Sequence, residues 1–521
     1  MRYILAMILC ASFGTLMAAE KPIVIVGATV HDGTGGPGRV ADVCIVGDKI
    51  TAVGKIERPA DAIVIDGAGM IVCPGFIDLH THCDTGSPTL MAKAGRPNTC
   101  YIMQGVTTVV TGNCGSGPVD TAKFFQALEA GGIGTNVIHQ APHNSIREAV
   151  MGNANRAPTA EELQKMESLV GKAMTDGAWG LATGLIYNPG TYAKTEEIIA
   201  LAKVSGQHGG HYASHIRNEG SGLLDAIQEA IDIGKGGKCA VHISHIKASG
   251  RAAHGMSIQA IALIEASRKA GQAITADQYP YTASSTSLRA TLVPSKYREG
   301  NQKDFVARID DPNTGPRLKA DIAAALSERD NGKAIQIARY SSKPAWQGKR
   351  ISQIAESEKK EPIDIVLEIE RNGGAGIVNF GMSEEDVRIY MKQDWVATAS
   401  DGSTHLAGAT VPHPRSYGTF PKKVGFYSIE EKLIPVERAI RSCSGLPADI
   451  LKLKDRGYIK PGQFADVVIF DPKTFRDTAT YDKPHQLAVG IRYLFVNGKM
   501  VIDTGKHLPE VLAGKALRHA K

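Results

Sequence analysis

The feature that most constrains this chain is an alternation. Between residues 76 and 400, eight short runs of strand-forming residues are separated by helical runs. Strands that alternate with amphipathic helices specify a parallel sheet with the helices packed outside it. The strand runs end at Phe76–His82, Thr107–Cys114, Thr135–Ala141, Trp179–Tyr187, His211–Ile216, Ala240–Ile246, Ala273–Tyr281 and Asp394–Ser400. Helical periodicity is carried by Ala160–Asp176, Thr195–Gln207, Leu223–Gly234 and Ser257–Ala270. Eight such units in this order predict an α/β fold of the (β/α)8 (TIM) barrel type, whose active site lies at the C-terminal ends of the strands. Polar residues that end the runs therefore converge on one mouth.

The flanks of the barrel have a different texture. IVIVGATV, DVCIVGDKI and AIVIDGAGMIV, between Pro22 and Pro74, are short strands with Gly-Asp and Asp-Gly at the reversals. FADVVIFDP and RYLFVNGKMVIDTG repeat that texture near the other end. One small β domain built from both chain ends is expected, from residues 21–74 and 446–510, with the barrel at 75–445. More than a hundred residues separate the seventh and eighth strands, too many for an ordinary loop. An inserted subdomain is expected there, at approximately residues 295–350.

Residues 1–19 read as a secretory signal: Arg2 is the positive end, Ile4 to Leu16 is mainly apolar, and Ala18-Ala19 precedes Glu20. The apolar run is shorter than the ~20 residues that span a bilayer, so cleavage near Ala19 and export to the periplasm or exterior are expected, with no integral membrane segment left. The net charge of +6 is dispersed, without a long Lys/Arg run, which argues against nucleic acid as a partner. Eight cysteines include Cys10 in the leader; the remaining seven show no compact disulfide spacing. An odd count leaves at least one for another job, such as holding a metal.

Candidates for that job recur at the strand ends. His80 and His82 close the first run as D-L-H-T-H, and alternate strand residues share one face. Cys114 follows the second run in V-T-G-N-C-G, His215 ends the fifth in S-H-I-R, and His245 ends the sixth in I-S-H-I-K. Asp401 follows the eighth in A-S-D-G. An H-x-H pair alone is weak; contributions from five separate strands to one mouth make a metal-binding constellation. His242, three residues before His245, belongs to the opposite face and is expected in the core or supporting the site. His143, after the third strand, is a mouth candidate without an assigned role, and His405 is expected to be surface or structural. Lys247, two residues past His245, faces the mouth and can pair with a substrate carboxylate.

Taken together, GFIDLHTHCD, QGVTTVVTGNCG, GLATGLIYNPGTYA, SHIRNEG, ISHIK, DQYPYTASST, ASDG and HPRSYGTFP resemble the amidohydrolase superfamily, specifically its N-acyl-D-amino-acid deacylase (D-aminoacylase) branch, from about Lys21 to Leu508. The resemblance implies a β-sandwich beside the barrel and a small domain inserted after strand seven. It implies one tight Zn2+ held by Cys114, His215 and His245, with His80, His82 and Asp401 facing a second, weaker position. Cys114 takes the place of the bridging carboxylated lysine of hydantoinase-like relatives. By the same resemblance Lys247, Tyr187, Tyr279 and Arg415 contact a substrate carboxylate, and Arg289 is a looser candidate for an acidic substrate side chain.

The chemistry expected of this set is hydrolysis of the amide of an N-acyl-D-amino acid, a small-molecule substrate, with Asp401 moving the protons. Another amide, a cyclic imide or a dipeptide, is the alternative on the same metal site. A metal-binding protein without catalysis would be expected to lack the carboxylate at position 401.

Overall fold

The computed structural model describes residues 21–408 and 410–519. The expected signal segment, residues 1–19, lies outside the described residues. Among the described residues no helix is long and apolar enough to cross a membrane.

The barrel strands are Phe76–Asp78, Val106–Thr111, Asn136–His139 continued by Ala141–Pro142, Gly180–Gly184, His211–His215, Val241–Ile243, Ile274–Gln278 and Val396–Thr398. Neighbours pair in parallel in that order, strands one to three in one sheet and the rest in another. The ring closes at the mouth, where Asp401 N donates to His80 O at 2.8 Å and His82 N to Gly402 O at 2.7 Å. The closure therefore runs through three of the expected site residues.

The outer helices start and stop where local chemistry sets them. Helix Ala160–Thr175 begins at a capping box: the Thr159 hydroxyl accepts from Glu162 N, and the Glu162 carboxylate accepts from Thr159 N. Such reciprocal caps satisfy two N–H groups that the helix cannot. Helix Leu223–Gly237 buries Ala226, Ile227, Ala230 and Ile231, an i, i+1, i+4, i+5 stripe that packs on the barrel wall.

Both chain ends build one sheet beside the barrel. Ile71–Pro74 pairs antiparallel with Val467–Phe470, placing Cys73 opposite Val468, and joins Ile23–Val30 and its neighbours to the C-terminal strands. Its two ends lie nearly four hundred residues apart along the chain. The β-sandwich expected from the flanking texture is thus a single unit.

After strand seven the chain leaves the barrel to form a three-stranded antiparallel sheet, with Gly376–Asn379 between Ser284–Ser287 and Ile335–Arg339. Helices Gln302–Asp310, Gly315–Ser327, Ile351–Glu358 and Pro362–Arg371 cover it over a separate apolar core that includes Phe305, Leu318, Ile354 and Ile369. This insertion stands over the barrel mouth, and between them lies a cavity of about 850 Å³ with Asp401, Arg415, Arg289 and Arg339 on its walls.

Candidate metal centre and active site

Strand ends from four directions bring Cys114 into the middle of three imidazoles. Its Sγ lies 3.3 Å from His80 Nε2, 3.4 Å from His215 Nδ1 and 3.5 Å from His245 Nε2. All four residues are buried. A sulfur about 2.3 Å and a nitrogen about 2.05 Å from one tetrahedral ion stand about 3.6 Å apart. Each spacing therefore fits two ligands of one ion, and His80, Cys114, His245 and Asp401 stand close enough together to share one.

The protonation of the set points the same way. Burial, aided by the neighbouring His245, lowers His80 to about 4, and burial holds His215 well below its ordinary value. Burial, with the Asp401 carboxylate, pushes the Cys114 thiol well up. Neutral imidazoles at His80 and His215 stand beside a thiol that a bound cation would deprotonate. A thiolate with imidazoles is the donor set that suits zinc, so the residues present fit the metal.

Holding the cluster demands backbone strain. Cys114 (φ +52°), His245 (φ +36°) and Asp401 (φ +51°) all occupy the left-handed region, which L residues avoid. Such outliers persist only where the surroundings over-determine them. Gly184 is required beneath the turn: a Cβ there would lie 2.2 Å from the Cys114 carbonyl oxygen. Asp277 clamps the next outlier, its Oδ1 accepting His245 N–H at 2.6 Å. The other oxygen of Asp277 accepts from His242 Nε2 at 2.7 Å and faces His80 Nδ1 at 3.8 Å. His242 thus supports the site from the opposite face, as its spacing implied.

Asp401 stands beside this group. Its Oδ1 is 3.6 Å from His80 Nε2 and 3.1 Å from His82 Nε2, and its Oδ2 is 2.8 Å from Arg415 Nη1. Burial alone would raise its carboxyl, but Arg415, His245, His82 and His80 together hold it well below the usual carboxylate range. Asp401 is therefore ionised and able to take a proton. His82 faces this carboxylate rather than the thiol, whereas His80 stands as near the sulfur as His215 and His245 do. The side chains thus split as His80 with the sulfur and His82 with the carboxylate, not as an H-x-H pair.

The expected substrate contacts fall into two layers. Arg415 lines the cavity, donates to Ser285 O at 3.2 Å and lies with its guanidinium carbon 4.8 Å from the Tyr279 ring centre. Tyr187 packs edge-on to His215, 4.8 Å between ring centres, and its hydroxyl accepts from Thr286 Oγ1 at 2.9 Å. Tyr279 is buried, its hydroxyl toward Met382 Sδ at 4.0 Å. Lys247 lies beneath the wall, buried, with Nζ 2.5 Å from Glu219 Oε1. Its charge is already paired, so a substrate carboxylate reaching it has to share it with Glu219. Arg289, on the cavity wall, is likewise paired, with buried Glu370 at 2.7 Å.

His143 is buried away from the cavity, with Nε2 3.1 Å from Glu197 Oε1, to which Arg147 Nε also donates at 3.0 Å. It belongs to the support under Asn144, whose side chain holds Gly184 N and O. His405 lines the cavity, half-buried and stacked on Tyr417 with 6.1 Å between ring centres, in keeping with a surface or structural role. Asp277 and Glu219 went unmarked in the sequence reading, although both lie within quoted motifs, DQYPYTASST and SHIRNEG. For Glu219 the available signal was a carboxylate four residues past His215; Asp277 lies 32 residues from the nearest metal-ligand candidate, His245, and no local signal marked it.

Known proteins place this geometry. The profile of the amidohydrolase family matches residues 63–502. The chain is 35% identical to a D-aminoacylase of Alcaligenes xylosoxydans xylosoxydans over 95% of this chain and 98% of that protein. A solved D-aminoacylase structure, described with a binuclear metal centre, one-metal activation and second-metal attenuation, superposes with a TM-score of 0.81 over 95% of this chain and 99% of its own, at 35% identity. The N-acyl-D-glutamate deacylase of Bordetella bronchiseptica, solved with zinc and a phosphonate mimic of the tetrahedral intermediate, gives a TM-score of 0.80 at 30% identity, over 96% of this chain and 100% of its own.

Proposed function

The chain belongs to the amidohydrolase family, and from that premise we propose that it is a zinc-dependent hydrolase of N-acyl-D-amino acids, releasing a carboxylic acid and a D-amino acid. The observation that carries the reading is the Cys114 sulfur ringed by His80, His215 and His245 at 3.3–3.5 Å, with the ionised Asp401 beside it.

Cys114, His215 and His245 would hold the tight ion, and His80 and Asp401, close enough to Cys114 and His245 to share an ion with them, would face a second, weaker position with His82. A bound zinc supplies Lewis acidity, activating water and polarising an amide carbonyl. Asp401 accepts the proton of the attacking water and returns it to the departing amine nitrogen, so that the amine leaves neutral. Its Oδ1, between His80 and His82, lies on the metal side; its Oδ2, against Arg415, lies on the substrate side. Arg415 orients the substrate through its α-carboxylate, because a planar guanidinium grips a carboxylate through two parallel bonds. Tyr187, Tyr279 and Lys247 complete that region. The insertion closes the cavity from above, and its walls meet the substrate side chain.

N-acetyl-D-amino acids are expected to be hydrolysed, and their L forms and dihydrouracil left intact, by protein carrying close to one tightly bound zinc per chain. Cleavage of dihydrouracil with inert N-acetyl-D-amino acids would move the assignment to cyclic amides.

The reading includes export, on the strength of Arg2, the apolar run and Ala18-Ala19. N-terminal sequencing of protein from the native host should begin near Glu20. An intact Met1 on cytosolic protein contradicts it.

A further inference from the structure

We propose that Glu219 is a positioning residue, a single carboxylate that holds the imidazoles of His215 and His245 from the side away from Cys114. Glu219 follows the fifth barrel strand, in the loop before helix Leu223–Gly237. Its Oε1 lies 3.1 Å from His245 Nδ1 and 3.8 Å from His215 Nε2. On both rings the other nitrogen is the one that faces the Cys114 sulfur: Nε2 of His245 and Nδ1 of His215. The two rings use opposite nitrogens toward the sulfur, and the two nitrogens left over converge on one oxygen.

That arrangement suits a ligating histidine. An imidazole that gives one nitrogen's lone pair to a metal carries its hydrogen on the other nitrogen. A carboxylate accepting that hydrogen fixes the tautomer and the ring direction and makes the ligand more basic. His215 Nε2 is buried and has no hydrogen-bond partner among the described residues. Glu219 is the carboxylate that faces it. The rings stand 4.3 Å apart at 79°, nearly perpendicular, and Glu219 Oε1 lies in the angle between them, 3.1 Å from His245 Nδ1 and 3.8 Å from His215 Nε2, which a small turn of the side chain would bring within hydrogen-bond reach.

His215, Glu219 and His245 also satisfy the spacing of a second metal site. Lys247 decides against that use. Its ammonium stands 2.5 Å from Glu219 Oε1 and 2.7 Å from His245 Nδ1, where a second ion would sit; an ammonium only donates, so once His245 Nε2 binds a metal its Nδ1–H would turn to Glu219 and Lys247 would pair with that carboxylate alone. Glu219 thereby ties Lys247 to the metal ligands, and its carboxylate stands as a brace behind His245 and His215 rather than as the ligand of a further ion.

The inference rests on the reading that the Cys114 cluster binds zinc, and zinc affinity tests it without turnover. Glu219→Gln keeps the side-chain shape and removes the charge. Competition with a chromophoric chelator should show zinc held about 10–100-fold more weakly; the zinc-free melting temperature should fall in Glu219→Gln, which strands the buried Lys247 ammonium, and recover when Lys247→Met is added. Glu219→Asp keeps the carboxylate but shortens its reach, and should fall between that variant and the parent. Glu219→Gln combined with Lys247→Met should stay as weak as Glu219→Gln alone. Parental zinc affinity in Glu219→Gln overturns the proposal, as does recovery in the double variant, which would make charge balance with Lys247 the role. Weaker zinc in the double variant accompanied by a lowered zinc-free melting temperature overturns it too. If the zinc affinities follow the expected order and no N-acyl-D-amino acid is hydrolysed, the functional reading fails and the positioning role stands.

Discussion

Asp401→Asn should leave a folded, zinc-loaded protein whose kcat has fallen by about 10²–10⁴, the usual contribution of a positioned general acid–base. The substitution keeps size and shape and removes the group that accepts the proton. It also keeps the left-handed backbone at φ +51°, since Asn tolerates that region at least as well as Asp. The tight zinc should stay, because Cys114, His215 and His245 are untouched and asparagine keeps an oxygen beside His80, Cys114 and His245, the group in which Asp401 stands. KM should change far less than kcat, since Arg415, freed from its 2.8 Å pair with Asp401, still meets the substrate carboxylate. If Asp401 instead only braced the ring closure, activity, zinc and melting temperature would fall together. Zinc content, melting temperature and kcat measured on one preparation separate the two cases. A folded, zinc-loaded variant nearly as active as the parent removes Asp401 from the chemistry.

Cys114→Ala should abolish tight zinc binding. The thiolate is the one anionic ligand of the tight set Cys114, His215 and His245, and its sulfur is the point on which all three imidazoles are spaced. The loss should exceed the ~10–100-fold that removal of a supporting residue costs, so dialysed protein should carry little zinc and show little hydrolysis. Alanine and cysteine share a Cβ, so the substitution leaves the strain at φ +52° unchanged. Any loss of affinity is then a property of the sulfur. His82→Ala is the comparison: its ring faces Asp401 at 3.1 Å, not the sulfur, and most of the zinc should remain. Full zinc in the Cys114 variant would mean that the ion sits elsewhere.

Much of this protein was legible along the chain. Strand and helix periods are local properties of side-chain direction, and expected helices such as Thr195–Gln207 have the bounds seen in the fold. Because eight parallel strands put all their C-terminal ends on one mouth, His80, His82, Cys114, His215, His245 and Asp401 could be gathered before any coordinate was known. The alternation also distinguished His242 from His245, since a separation of three residues reverses the face.

What the chain alone left open are relations between side chains whose backbones it does not connect. Alternation places His80 and His82 on one face, yet their rings part toward different partners, the sulfur and the carboxylate. Lys247 faces the mouth by spacing and is nonetheless engaged, because Glu219 arrives from another strand's loop, 28 residues away, to within 2.5 Å. Arg289 meets Glu370 across 81 residues of insertion. Asp277 reaches His242, His245 and the face of His80 only because strands one, six and seven curve around a common axis. Periodicity determines which way a side chain leaves its strand. Which neighbour it meets depends on barrel closure and on the depth of each loop, and those are decided by packing between elements that are distant in sequence.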